Sequence, residues 1–76
     1  MSKGLYMSYY RVDKETGEKE YLQTNMFSKP AYQWLKDKEH ADKYSSYDSF
    51  LNNANSMNLE EGINQDKYVY DFEEVK

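Results

Sequence analysis

The 76-residue sequence predicts a two-layer α+β domain of order ββααβ, a three-stranded antiparallel sheet with two helices packed on one face. Two aromatic-rich segments, residues 5–12 and 18–24, flank a turn; two stretches keep helical spacing; and the last residues alternate again. A chain this short holds one domain, residues 1–76, and buries only about 60% of the surface its unfolded form exposes. With no cysteine it has no disulfide to hold it. Packing must come from nine Tyr, three Phe and one Trp, side chains that bury large areas.

Between the first two strands lies Asp13-Lys14-Glu15-Thr16-Gly17. Gly17 suits the left-handed last position of a four-residue loop, and Asp13 suits capping of the loop amides. Loop length then fixes the faces. A loop of residues 14–17 sets Asp13 opposite Glu18, Arg11 opposite Glu20, Tyr10 opposite Tyr21 and Tyr9 opposite Leu22, gathering Leu5, Met7, Tyr9 and Leu22 on one face. A five-residue loop would divide that set.

Ser28 has the place of an N-cap and Pro30 is tolerated in a first helical turn, with Phe27 and Tyr32 spaced as a hydrophobic staple. Ala31, Trp34, Leu35 and Ala41 fall on one helical face, so a helix is expected over 29–41. A second helix is expected after Ser45, which has Asp48 at capping-box spacing, with Tyr47, Phe50, Leu51, Ala54 and Met57 inward. Residues 58–67 read as a loop with Leu59 and Ile63 tucked in. In the third strand, Tyr68, Tyr70 and Phe72 alternate with Val69, Asp71, Glu73 and Val75. Tyr9, Leu22, Tyr70 and Phe72 are expected to meet Trp34, Leu35, Phe50 and Leu51 in the core.

Net charge is −4, and its placement matters more than its size. Residues 1–58 balance, whereas residues 59–76 carry Glu60, Glu61, Asp66, Asp71, Glu73 and Glu74 against Lys67 and Lys76. Direct nucleic-acid or anionic-membrane binding, which relies on basic surface, is disfavoured. No secretory h-region or membrane-length apolar stretch is visible, so a cytoplasmic location is expected. The nine-to-one bias of Lys over Arg with six Asn suggests AT-rich coding, as in low-GC bacteria and their phages.

Catalysis needs a tuned acid, base, nucleophile or metal, and the inventory is poor. His40 is the only histidine, placed to complement a helix dipole. Glu73 and Glu74, adjacent on a strand, point to opposite faces and form no acid–base dyad. Glu60, Glu61, Asn64, Gln65 and Asp66 lack the spacing of a calcium loop. Gly4, Gly17 and Gly62 are too far apart for a phosphate-binding loop. Neither enzyme activity, metal nor cofactor is expected.

What remains is surface. Tyr6, Tyr10, Val12 and Tyr21 share the sheet face away from the helices, next to Val69, Asp71, Glu73 and Val75. Tyrosines there either stabilise a solvated sheet as cross-strand pairs or form a contact surface. The expected partner-binding residues are Tyr6, Tyr10, Tyr21, Asp71, Glu73, Glu74, Glu60 and Glu61. The expected function is that of a non-enzymatic protein-binding module, such as a phage or mobile-element inhibitor of a host nucleic-acid-processing or defence enzyme, with carboxylates standing in for phosphates. Alternatives are a structural or adaptor subunit and, less favoured, single-stranded nucleic-acid binding by stacking on Tyr6, Tyr10 and Tyr21. Homodimerisation through the open sheet or its edge is a further expectation.

Overall fold

A computed structural model describes residues 6–75. Leu5, expected in the core, lies outside the described residues, as does the side chain of Val75. Four strands, β1 (Tyr6–Asp13), β2 (Lys19–Thr24), β3 (Tyr32–Leu35) and β4 (Tyr68–Val75), make an antiparallel sheet of order β3-β2-β1-β4. One α-helix, α1 (Tyr47–Ser56), packs on it, and 3-10 turns occupy Lys38–His40 and Leu59–Gly62. The class is α+β as expected, with four strands and one α-helix in place of three and two.

The β1–β2 hairpin follows from its loop. Asp13 Oδ1 accepts from the amides of Glu15 and Thr16 at 2.8 and 3.1 Å, and Gly17 sits at φ 78°. The Asp13 amide donates to the Glu18 carbonyl at 2.9 Å, which closes a four-residue loop and sets Tyr10 opposite Tyr21 and Arg11 opposite Glu20. This is the expected register, except that the ladder ends before the expected Tyr9–Leu22 pair.

The expected helix over 29–41 does not form. Tyr32, Gln33, Trp34 and Leu35 instead pair with Thr24, Gln23, Leu22 and Tyr21. Tyr-Gln-Trp-Leu satisfies a period of two as well as it satisfies helical spacing, and pairing with β2 decides between them. Trp34 and Leu35 therefore lie on opposite faces, Trp34 beside Leu22 and Leu35 beside Tyr21. Ser28 is not an N-cap; its hydroxyl lies within donating distance of two backbone carbonyls of its own loop, Asn25 at 3.1 Å and Pro30 at 2.7 Å. The Lys29–Pro30 peptide bond is cis. Phe27 makes no staple with Tyr32, because it is fully exposed.

After β3 the chain crosses the sheet. Lys38 pairs with Glu73 and Gln23 donates to the His40 carbonyl at 2.8 Å, so the first 3-10 turn lies over the face opposite α1. The β1–β2 ladder stops at Tyr10–Tyr21, and residues 41–44 fill the widening gap. There the Asp42 amide donates to the Leu22 carbonyl at 3.0 Å, and Tyr44 pairs with Met7. Asp42 Oδ2 accepts from the Thr24 amide at 2.8 Å and from the Tyr44 hydroxyl at 3.2 Å. Beyond this strap the chain is on the α1 side.

Helix α1 is capped by Ser46, whose hydroxyl accepts from the Ser49 amide at 3.1 Å, one residue later than the expected Ser45. Its buried side chain Phe50 joins Leu22, Tyr44, Met57 and Leu59 in the core. Tyr9, Phe50 and Phe72 pack mutually, with ring centroids 4.5–4.9 Å apart, in the tilted and edge-on arrangements aromatic quadrupoles favour. Leu35 and Leu51, both expected in the core, are not among its buried residues: Leu35 faces away from α1, and Leu51 is 36% exposed at the margin of the core.

Candidate interaction site

The face of the sheet away from α1 is only partly open. Tyr21 is 6% exposed, its ring 6.0 Å from that of Tyr10 and its hydroxyl donating to Glu73 Oε1 at 3.0 Å. Tyr21 is therefore a packing residue and offers no ring to a partner. Ser8, opposite Glu73, is fully buried. The strap accounts for both, since it covers this face where a bare sheet was expected. Tyr6, half-buried Tyr10, Val69 and Asp71 remain accessible along β1 and β4.

Glu73 is also committed internally. Lys19 and Lys38 both pair with its carboxylate, and with the Tyr21 hydroxyl they hold its pKa down to about 2. The Lys19 ammonium also lies 4.2 Å from the Tyr10 ring centroid, a cation–π contact. Of the eight residues expected to touch a partner, Tyr21 and Glu73 thus act within the fold.

The other carboxylates stand differently. Asp71 pairs with Tyr10 on the strap side, whereas Glu74 pairs with Met7 on the α1 side, so the divergence expected of adjacent strand residues holds. Glu60 and Glu61 sit on the second 3-10 turn, and Asp66 lies in the loop before β4. Among the described residues, Glu73 is the one carboxylate of this segment in an ion pair; Glu60, Glu61, Asp66, Asp71 and Glu74 have no cation within 4.0 Å. They line the free edge strand β4 and the loop that leads into it.

Two further features escape a reading of the sequence. Between α1 and the second 3-10 turn, Tyr9, Phe50, Leu51, Ala54, Leu59 and Ile63 enclose a cleft of about 300 Å³ with Glu60 at its rim. Helical periodicity assigns Phe50, Leu51 and Ala54 inward, but a ten-residue helix is too short to close over all of the cluster. Burial in this cluster, with Tyr70 nearby, pushes the Tyr9 phenol up to about 12, so it remains a neutral donor. The second feature is the β2–β3 loop tip, where Phe27 is 100% and Met26 77% exposed. Asn25 Oδ1 holds the tip by accepting from the Phe27 amide at 3.0 Å. A Met-Phe pair in a turn is the available signal, obscured by the staple spacing of Phe27 and Tyr32.

Chemically the surface offers contact. His40 is exposed and bonded to Asp37. No group of three or more Asp, Glu or His among the described residues is arranged to hold a metal ion, and no helix among them is long and apolar enough to cross a membrane. Comparison with protein-family models, with curated proteins and with solved structures finds no match to this chain.

Proposed function

We propose that the chain is a non-enzymatic protein-binding module of the kind phages and mobile elements encode, one that inhibits a host nucleic-acid-processing or defence enzyme by occupying its basic groove. The observation that carries this reading is the set of carboxylates unpaired among the described residues, Glu60, Glu61, Asp66, Asp71 and Glu74, along β4 and its leading loop. Strand residues rise about 3.4 Å each, so Asp71 and Glu74 are separated by roughly 10 Å along the strand. Carboxylates so spread meet a row of lysines and arginines better than they meet one cation. Unpaired charge on both partners raises the association rate and selects against acidic competitors.

Tyr6 and Tyr10 add apolar contact area beside Asp71, with the polar hydroxyl tips that suit tyrosine to interfaces. A partner laid against the β4 edge would touch the carboxylates and these two rings together. The test is capture of partners by the tagged chain from its native host, identified by mass spectrometry, followed by a salt titration of the complex. A basic partner whose affinity falls with ionic strength supports the reading; affinity indifferent to salt overturns it.

A further inference from the structure

The geometry points to a closed two-fold pair of this chain, in which the Met26–Phe27 tip of each copy enters the α1 cleft of the other. This does not rest on the reading above, which uses the β4 edge.

A fully exposed phenylalanine on a loop fixed by its own hydrogen bonds is an apolar group with nothing to cover it. Phe27 forgoes the burial that favours an apolar ring. The same chain holds an apolar cleft, floored by Tyr9, Phe50 and Leu59 and walled by Leu51, Ala54 and Ile63. Its volume of about 300 Å³ admits a phenyl ring. Charge agrees as well. Lys29 follows Phe27 by two residues, and Glu60, unpaired among the described residues, stands at the cleft rim.

Position decides which copy-to-copy arrangement is meant. Met26 and the base of the tip, from Ser28 to Tyr32, border a second concavity whose far wall is Ser56, Met57 and Gly62. The cleft lies along the neighbouring part of the same junction between α1 and the second 3-10 turn. Tip and cleft therefore flank one junction, and a two-fold axis passing beside it lets both tips cross at once. Such an interface is self-complementary and closes at two. Pairing through the sheet edge is less suited to the charges, since it would bring Asp71 and Glu74 of β4 against their own copies.

Each Phe buries roughly 150–250 Å². Two tips and the matching cleft walls come to roughly 600–1,000 Å², below the roughly 1,200 Å² of stable specific interfaces and in the range of weak, transient pairs. Micromolar dissociation is the expected range, so the pair should break on dilution.

Sedimentation velocity of the full chain from about 1 to 500 µM, a span that brackets micromolar dissociation, provides the test. The expected result is a monomer–dimer equilibrium that stops at two. Phe27→Ser should raise the dissociation constant at least a hundredfold, since two rings are lost per pair. Because Phe27 touches nothing in the monomer, this variant should fold as the parent does. Leu51→Glu should weaken the pair similarly; should that variant fail to fold, intermolecular NOEs from Phe27 ring protons to the Ala54 and Ile63 methyls, in a sample mixing labelled and unlabelled chain, report the same contact. A monomer at every concentration overturns the inference. So does a dimer untouched by Phe27→Ser, or growth beyond two, which would mean an open chain of copies. None of these outcomes depends on whether a basic partner is captured.

Discussion

Met7 and Tyr44 exchange both backbone hydrogen bonds, 2.9 Å from the Met7 amide and 2.8 Å from the Tyr44 amide, across a gap where β1 and β2 have parted. The contact lets a short loop serve as a piece of sheet. It carries the chain from one face to the other, places the Tyr44 ring against Phe50 at 5.3 Å and leaves the opposite face half covered.

Asp42 is the hinge of that crossing. Its Oδ2 accepts from the Thr24 amide, the Thr24 hydroxyl and the Tyr44 hydroxyl, and Asn53 donates to both of those hydroxyls at 2.9 Å. Asp42→Ala leaves these donors without their acceptor and should cost about 2–3 kcal/mol in urea unfolding. A loss under about 0.5 kcal/mol, the range of an ordinary surface substitution, would show that the strap is not held this way.

Glu73 should make folding stability depend on acid. Its carboxyl is held at about 2, below the ordinary value of 4.5, so its stabilisation is fully present above about pH 4.5 and fades as pH falls through about 2. Asp13 and Asp37 are lowered as well, by loop amides and by His40 respectively, so the comparison must be differential. Thermal unfolding of the parent and of Glu73→Gln should converge toward pH 2 and separate above pH 4.5, with the parent more stable. Parallel pH curves would contradict the pairing with Lys19 and Lys38.

The hairpin depends on one backbone conformation. Gly17 sits at φ 78° with open space where a Cβ would be, so Gly17→Ala should cost about 1 kcal/mol through backbone strain alone. Gly17→Asn should cost less, because Asn tolerates the left-handed region. Equal costs for the two variants in denaturant titration would argue against a purely conformational penalty.

The two phenylalanines at opposite extremes of exposure should separate cleanly in dilute solution. Phe50, 6% exposed in the core, should cost about 3–5 kcal/mol on replacement by Ala, which a domain of this size is not expected to survive at 37 °C. Phe27→Ser should change monomer stability by less than about 0.5 kcal/mol. A large loss at Phe27, measured by unfolding at low concentration, would mean that the tip packs on its own chain.

The hairpin, the final strand and the divergence of Glu73 from Glu74 were legible because each is settled locally, by loop chemistry or by a period of two. Residues 32–35 were not, because Tyr-Gln-Trp-Leu fits two periods and only the distant β2 chooses between them. That choice also moves Leu35 off the core face. Tyr21 and Glu73 lie on the expected face in a different role, since nothing local in 36–44 announces a strap that covers them. Phe27 departs from expectation for the same reason as β3: with no helix to start, it has no staple to make.

The carboxylates of β4 and its leading loop that are unpaired among the described residues are the proposed carriers of binding. The most direct measurement is the salt dependence of affinity for the captured partner, compared between the parent and a variant with Glu60, Glu61 and Glu74 replaced by Gln and Asp71 by Asn. Parent affinity should fall steeply as ionic strength rises past the point where the Debye length shortens to about 8 Å, and the variant should bind more weakly with a shallower slope. Equal affinities with equal slopes would contradict a role for these carboxylates.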